Sequence, residues 1–423
     1  TSSEEADVKS ASNTLPGQAP QGLTAGLDWA RDDHAVSIVN DRGREIARHI
    51  IEHTAAGLVE LLAVLTRVGC REVAIERPDG PVVDALLGAG VTVVVISPNQ
   101  VKNLRGRYGS AGNKDDRFDA YVLADTLRTD RSRLRPLVPD APETVALRRI
   151  VRARRDLVAH RVALANQLRA HLRLVFPGAV GLFQQIDSLI TLAFLTRFPT
   201  QDKADWLTPT RLGRWLSSVG YSGRTDPAAL HAHLTAAPRG AAGDQTAYTA
   251  ITASSVALLT AMVAQIKALE AQISTQLDAH ADQHIFTSLP RSGRVRAARL
   301  LAEIGDCRAK FPTPEALICL AGVAPSTRQS GKIRVVAFRW ACDKQLRDAV
   351  CDFAGDSVKA NPWAADLYRR ARERGHDHPH AVRILARAWL TVIWHCWQDG
   401  VRYDPAEHRA LQRLINQDQK RGA

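Results

Sequence analysis

The sequence predicts an α/β domain followed by a mainly helical chain. Short β-rich segments alternate with helical apolar spacing over the first hundred residues. Two later stretches, 144–176 and 246–280, have the apolar spacing of long amphipathic helices. The last third continues with shorter helical segments. We therefore expect a mixed sheet with flanking helices, a coiled-coil helical middle, and a mainly helical C-terminal domain.

The N-terminal elements follow from local patterns. Predicted strands cover 23–40, 44–53, 72–75 and 91–97, and predicted helices cover 55–68 and 81–87. The first two strands should pair as a hairpin, because Asn-Asp-Arg-Gly between them is a turn sequence. The last strand is almost entirely valine and isoleucine, which is typical of a strand covered on both faces.

The composition of the chain indicates which classes of partner the protein can bind. The chain has 423 residues, with 56 Lys+Arg against 44 Asp+Glu, a formal net charge of +12 and a pI near 9.7. It is long enough for two or three domains, and a basic protein of this size has nucleic acid as its leading partner. The six cysteines contain no CxxC spacing, and no uninterrupted apolar run reaches eighteen residues. We therefore expect neither a zinc site nor a membrane partner.

Four carboxylates are placed as a metal site would need them. Asp28 and Glu76 each stand in a strand-like apolar segment, and Asp116 and Asp119 lie about one helical turn apart. This order of strand, later strand and helix suggests a ribonuclease H-like domain. Four carboxylates without a basic partner require cations, and oxygen ligands favour Mg²⁺ or Mn²⁺. Two such ions can assist cleavage of a phosphodiester.

Ordinary structural roles remain open for the same residues. Asp116 and Asp119 could form an acidic first helical turn, which the helix dipole favours. Asp28 could be a strand-end residue, and Glu76 could pair with Arg77.

Two basic segments are candidates for nucleic-acid contacts. The Gly-rich segment 102–114 predicts a mobile loop that grips a phosphate backbone, and the predicted helix 144–176 carries eight arginines against one internal acid. Because that helix has only one acid of its own for ion pairing, we interpret its arginine face as an RNA-binding surface. The candidate residues are Arg105, Arg107 and Lys114 in the loop, and Arg148, Arg152, Arg155, Arg169 and Arg173 on the helix.

The second long helix has an apolar seam. Leu259, Met262, Ile266, Leu269 and Ile273 are spaced 3, 4, 3 and 4 residues apart. The seam could pack on the first long helix as an antiparallel hairpin, or it could close a dimer. The segment between the two helices, about 177–243, predicts a helical insertion.

Ser330 lies in a basic turn sequence within the C-terminal third of the chain. Arg328 and Lys332 flank it on either side. A serine hydroxyl needs a base, a metal or a cation to become a nucleophile at neutral pH. From the pattern alone, Ser330 is better interpreted as a turn or N-cap residue, with Ser326 as a nearby competitor for any chemical role.

Several motifs in order resemble one family. The chain from about Gly22 to Asp404 resembles the DEDD-type transposases of the Piv/MooV invertase class of insertion sequences, the RNA-bridged recombinases. The matching motifs are GLDWA around Asp28, AIERPDG around Glu76, NKDDRFDAYVLA with Asp116 and Asp119, SLPRSGRVRAARLLAEIGD, and AGVAPSTRQSG with Ser330.

The resemblance implies a DNA transposase that cuts and rejoins donor and target DNA with a structured non-coding RNA. It implies that Asp28, Glu76, Asp116 and Asp119 bind Mg²⁺ or Mn²⁺ and that Ser330 is the nucleophile. It also implies a homo-oligomer (a dimer, or a tetramer on DNA) in the bacterial cytoplasm, associated with the nucleoid. The expected boundaries are a disordered tail at 1–20, a ribonuclease H-like catalytic domain at 21–140, a coiled-coil domain at 141–282, a C-terminal transposase domain at 283–404 and a basic tail at 405–423.

Two other classes of function stay open. A metal-only nuclease similar to junction resolvases would leave Ser330 structural and release hydrolytic ends. A non-catalytic nucleic-acid scaffold would hold the carboxylates in salt bridges and would need no divalent metal.

Overall fold

A computed structural model describes residues 14–108, 115–241, 243–331 and 333–422. The chain divides into two compact units, Thr1–Pro139 and Asp140–Ala423. We refer to them as the N-terminal and C-terminal units and describe each by itself.

The N-terminal unit is built on one five-stranded sheet. Its strands are β1 (Thr24–Trp29), β2 (Asp33–Val39), β3 (Glu45–Glu52), β4 (Glu72–Ile75) and β5 (Thr92–Val95), and its helices are α1 (Ala55–Val68), α2 (Pro81–Gly88), α3 (Pro98–Arg105) and α4 (Asp116–Thr129). The strand order is β3-β2-β1-β4-β5. β1, β2 and β3 are antiparallel neighbours, whereas β1, β4 and β5 run parallel. The predicted mixed sheet with flanking helices is confirmed.

Both faces of the sheet are covered. The inward residues of β1, β4 and β5 pack with α1 and α2 on one face, and Val94 packs with residues of α3 and α4 on the other. Val93 and Val94 of β5 are both fully buried, in different core clusters. This is the arrangement that the valine-rich segment predicts.

Two local expectations need correction. Residues 23–40 form two strands instead of one, because the chain turns at Ala30–Asp32 and β2 pairs back on β1. The turn at 40–44 joins β2 to β3 as predicted. Part of the expected disordered tail is ordered: Leu15 is buried, and Arg131 donates hydrogen bonds to the carbonyl oxygens of Pro16 and Gln18.

The C-terminal unit is mainly helical. Its helices are α5 (Pro142–Val175), α6 (Leu189–Arg197), α7 (Gln201–Ala204), α8 (Pro209–Ser218), α9 (Pro227–Ala236), α10 (Gln245–Ala279), α11 (Gln283–Thr287), α12 (Gly293–Ile304), α13 (Pro314–Leu320), α14 (Lys344–Ser357), α15 (Pro362–Glu373), α16 (His378–Asp399) and α17 (Arg409–Gly422). Between α13 and α14 lies a two-stranded antiparallel hairpin, β6 (Ser326–Ser330) and β7 (Ile333–Ala337).

The two long helices α5 and α10 pack against each other within the chain. Thr144 near the start of α5 hydrogen-bonds His280 after the end of α10 at 2.8 Å, and His171 near the end of α5 hydrogen-bonds Thr252 near the start of α10 at 3.1 Å. The helices are therefore antiparallel, and the seam residues Leu259 and Ile273 of α10 lie in core clusters that also contain residues of α5. The structure therefore contains the intramolecular antiparallel hairpin that the seam allowed.

The helix α10 is also long and apolar enough, over its 35 residues, to cross a membrane. It is the one helix of that kind in the part of the chain that the structure describes.

The expected boundary near residue 282 does not separate two compact units. Leu147 of α5 and Ile273 of α10 lie in the same core cluster as Leu301 of α12 and Trp389 of α16. The basic tail expected at 405–423 also differs from the structure, because α17 covers most of it and Leu411 is buried in that cluster. Residues distant in sequence thus join one core, which local patterns do not reveal.

Candidate metal centre

The first strand and the acidic helix lie in direct contact. Gly26 of β1 makes this possible, since a Cβ at that position would overlap the carbonyl oxygen of Ala120 in α4. The Thr24 hydroxyl donates to the Ala124 carbonyl at 2.9 Å and fixes the same contact. The N-terminal turn of α4 is therefore held beside the end of β1.

This packing brings three predicted carboxylates together. Asp28 at the end of β1 and Asp116 and Asp119 in the first turn of α4 have carboxylate oxygens within 4.8 Å of one another. Asp119 is buried, Asp28 is half-buried and Asp116 is exposed, so the cluster opens to solvent on one side.

The fourth carboxylate, Glu76, follows the neighbouring parallel strand. Leu27 of β1 pairs with Ile75 of β4, so Asp28 and Glu76 each come directly after a paired residue at the same edge of the sheet. Arg77 stacks on the Trp29 ring at 4.4 Å and pairs with Asp79 at 3.6 Å. Glu76 acts on the cluster through its charge, which raises the pKa of Asp28.

The electrostatics of the cluster centre on Asp28. The pKa of Asp28 is raised from 3.8 to about 7, chiefly by burial and also by the negative charges of Glu76, Asp119 and Asp116. Arg105 lowers the pKa but does not offset these effects. The negative charges that favour a proton on Asp28 would also favour a cation at the same place.

The premise that the carboxylates have no basic partner is wrong. The Arg105 guanidinium donates to the Asp119 carboxylate. Arg105 is the last residue of α3, so it lies on a helix and not in the mobile loop that we expected over 102–114. The capping box of Ser97 and Gln100 is a sequence signal that could have located this helix.

The donor set fits a divalent cation even with Arg105 present. One oxygen of Asp119, Oδ1, is buried and has no hydrogen-bond partner among the described residues. Three carboxylates offer oxygen ligands only, which is the preference of Mg²⁺ and Mn²⁺. The single positive charge of Arg105 does not balance the negative charges of the three carboxylates.

Ser330 lies in the C-terminal unit, at the end of β6. It pairs with Ile333 across the turn of the β6–β7 hairpin, and Gly331 in that turn has a φ of 56°. Arg328 is two residues earlier on the strand, so both side chains share one face of the hairpin. Ser330 and Arg328 are exposed, whereas Ser326, at the other end of the strand, is half-buried.

The other basic residues predicted to contact nucleic acid near the two sites are Arg107, Lys114 and Lys332. Arg107 pairs with Asp130 at 3.6 Å and donates to the Thr129 hydroxyl at 3.3 Å. Lys114 and Lys332 lie outside the described residues.

The expected arginine face of α5 is largely occupied by ion pairs within the unit. Arg148 pairs with Asp140, Arg152 with Glu303 at 2.6 Å, Arg154 with Glu270 at 2.6 Å, Arg155 with Asp348, and Arg161 with Asp187 at 3.3 Å. The acids come from other segments of the chain, so the scarcity of acids within the helix did not mean unpaired arginines. Arg169 donates to Asn166 at 2.7 Å, and Arg173 is exposed.

Two family models match the chain. A model described as a transposase, named for DEDD transposases of the IS110 type, matches residues 25–177, and a second model, described as the transposase IS116/IS110/IS902 family, matches residues 283–369. The first match includes all four predicted carboxylates, and the second includes the β6–β7 hairpin.

Individual relatives agree with the family models. A mini-circle putative transposase for IS117 from Streptomyces coelicolor is 35% identical over 411 residues, which are 92% of this chain and 97% of the relative. An uncharacterized 42 kDa protein of insertion element IS900 from Mycobacterium paratuberculosis is 28% identical over 91% of this chain and 98% of its own length. Among solved structures, T. thermophilus RuvC in complex with a Holliday junction substrate is 21% identical and covers 27% of this chain and 99% of its own, with a TM-score of 0.23. The chain belongs to the IS116/IS110/IS902 family of insertion-sequence transposases.

Proposed function

We propose that this transposase cuts and rejoins DNA through a metal centre made by Asp28, Glu76, Asp116 and Asp119 and a serine nucleophile, Ser330. The observation that carries the proposal is the convergence of three carboxylates, with oxygens within 4.8 Å, at the open edge of the sheet. The proposal includes a ribonuclease H-like role for the N-terminal unit and the mechanistic class of the Piv/MooV and RNA-bridged recombinases.

The metal centre supplies Lewis-acid polarisation of a phosphodiester oxygen when Mg²⁺ or Mn²⁺ is bound. Asp28, Asp116 and Asp119 would hold the cation, and Glu76 would add negative charge from the neighbouring strand. The Asp119 side chain is buried and its carboxylate accepts a hydrogen bond from Arg105, which fixes its position.

Ser330 conserves the energy of the phosphodiester during strand exchange. Its Oγ forms a bond to phosphorus while the bond from phosphorus to the leaving deoxyribose oxygen breaks. The serine proton leaves to a base, and the departing oxygen gains a proton. The hydroxyl of a second strand then attacks the phosphoserine, which releases Ser330 and joins the strands. The exposure of Ser330, with Arg328 on the same face of the hairpin, supports this role.

We further propose that a structured non-coding RNA and a second copy of the chain take part. The net charge of +12 and the exposed side chain of Arg173 support a nucleic-acid partner. The hairpin that carries Ser330 exposes Ile333, Val335 and Val336. A two-stranded hairpin with so little burial is marginal in water, which supports its stabilisation in an oligomer, a dimer or a tetramer, on DNA.

The experiment compares Asp119→Asn and Asp116→Asn with Asp84→Asn, an exposed carboxylate on α2 of the same unit. Calorimetric titration with Mg²⁺ or Mn²⁺ and cleavage of DNA carrying the element ends are both measured. We expect the two cluster variants to lose metal binding and cleavage while Asp84→Asn keeps both. Parental metal affinity and cleavage in Asp119→Asn would contradict the proposal.

A further inference from the structure

A basic cavity lies at the base of the β6–β7 hairpin, within the C-terminal unit. It has a volume of about 480 Å³ and is lined by Phe338, which directly follows β7, and by residues of α14 and the start of α16. Arg347 of α14 and Arg383 of α16 stack on the same Phe338 ring, at 4.9 and 4.8 Å from its centroid. Two guanidinium groups therefore converge on one aromatic ring.

These two arginines differ from those of α5 in their partners. Within the described parts of the chain, neither guanidinium makes an ion pair with a carboxylate, and Nη1 of Arg347 is buried without a hydrogen-bond partner. Asp348 also lines the cavity, but its carboxylate binds Arg155. The cavity thus holds two positive charges that repel each other and no carboxylate that pairs with either.

The other groups that face the cavity do not supply the missing negative charge. Burial raises the pKa of the Cys351 thiol to about 11, so the thiol is neutral at physiological pH. His378 and Pro379 form the first turn of the 22-residue helix α16, whose dipole adds partial positive charge. Asp377 caps that helix by accepting from the His380 amide at 2.8 Å.

We propose that Arg347 and Arg383 form a binding site for a phosphate of a DNA backbone. Guanidinium groups match phosphate oxygens in charge and in fork geometry, and stacking on Phe338 holds both in place. The hairpin places the site roughly 16 Å along β7 from the partner of Ser330, at about 3.3 Å per residue. The choice of DNA over RNA rests on the proposed role of Ser330 in attacking DNA.

The test is salt-dependent binding of DNA by the full chain. Fluorescence anisotropy is measured with duplex DNA that carries an element end, in chelator and with the Ser330→Ala substitution, so cleavage does not enter. We expect the Arg347→Gln/Arg383→Gln variant to bind about tenfold more weakly near 0.1 M salt, with a slope of log K against log salt that is smaller by about 1.

Two matched variants separate charge from folding. Arg347→Lys/Arg383→Lys keeps both charges and should keep the parental slope. Arg387→Gln removes an exposed charge one turn farther along α16 and should leave affinity and slope near the parent. An unchanged slope in the double Gln variant, or a reduced slope with an RNA probe but not with DNA, would overturn the proposal. Parental metal affinity and cleavage in Asp119→Asn would contradict the proposed metal centre but would leave this DNA-binding result unchanged, so the two proposals fail separately.

Discussion

The guanidinium of Arg105, at the end of α3, donates a hydrogen bond to the carboxylate of Asp119 in the first turn of α4. This pair places the positive charge of the Arg105 guanidinium beside the carboxylates that we propose as metal ligands. Asp119 keeps a second oxygen, Oδ1, that is buried and without a hydrogen-bond partner among the described residues. A divalent ion bound at the cluster would therefore share the Asp119 carboxylate with Arg105, and the two positive charges would repel each other.

Removing the positive charge of Arg105 should strengthen metal binding. We expect Arg105→Gln to bind Mn²⁺ roughly tenfold more tightly, because two nearby cations at an effective dielectric constant of about 20 repel by more than the ~1.4 kcal/mol that tenfold requires. Calorimetric titration measures the affinity. Arg107→Gln is the matched control, since its guanidinium pairs with Asp130, outside the cluster. Weaker Mn²⁺ binding in Arg105→Gln would mean that Arg105 orients Asp119 and does not oppose the metal.

The pKa of Asp28 predicts how the metal-free protein responds to pH. The folded value, about 7, is above the ordinary value of 3.8, so the folded chain binds the proton more tightly than the unfolded chain does. The stability that this proton contributes is present below the unfolded pKa and is lost as pH rises through about 7. Asp28→Asn should therefore raise the melting temperature at about pH 8 and change it little at about pH 4.

Melting curves in chelator test this expectation, with Asp84→Asn as the control for loss of an exposed carboxylate. An equal shift of Asp28→Asn at both pH values would show that packing, not charge, causes the effect.

The ion pair of Arg152 and Glu303 predicts a stability effect. The Glu303 side chain is 1% exposed and accepts two hydrogen bonds from Arg152, at 3.0 and 2.6 Å. Arg152→Ala leaves a buried carboxylate without this partner, so we expect the free energy of unfolding to fall by about 1–3 kcal/mol. Urea denaturation measures it.

Arg149 on the same helix is exposed and provides the control. Arg149→Ala should change the free energy of unfolding by no more than about 0.5 kcal/mol. Equal losses in the two variants would contradict a structural role for Arg152. Charge reversal at Arg152 or Arg155 is consequently a poor test of nucleic-acid binding, because it also breaks these internal ion pairs.

Local patterns predicted much of the N-terminal unit. The strand that carries Asp28, the strand before Glu76 and the helical turn of Asp116 and Asp119 all follow from periodicity and turn residues. Parallel strands that end at one edge bring such residues together. The sequence could therefore indicate the carboxylate cluster before the structure placed it.

Local sequence patterns did not predict the contacts between residues that are distant in sequence. The acids that pair with α5 come from positions as distant as Glu303 and Asp348, and a count of charges within the helix does not register them. The same holds for Arg105 and Asp119, which meet across two helices. The merging of the helical middle with the C-terminal segments also depends on contacts among α5, α10 and α12, which periodicity alone leaves open.

The covalent step is tested most directly by trapping the protein on a suicide DNA substrate and mapping the modified residue by mass spectrometry. We predict an adduct on Ser330 that requires Mg²⁺ or Mn²⁺ and is absent from Ser330→Ala and Asp119→Asn, whereas Ser326→Ala still forms it. Ser326 is a fitting control, because it lies on the same strand, paired with Ala337. An adduct on Ser326, or free hydrolytic ends with parental cleavage by Ser330→Ala, would contradict the account.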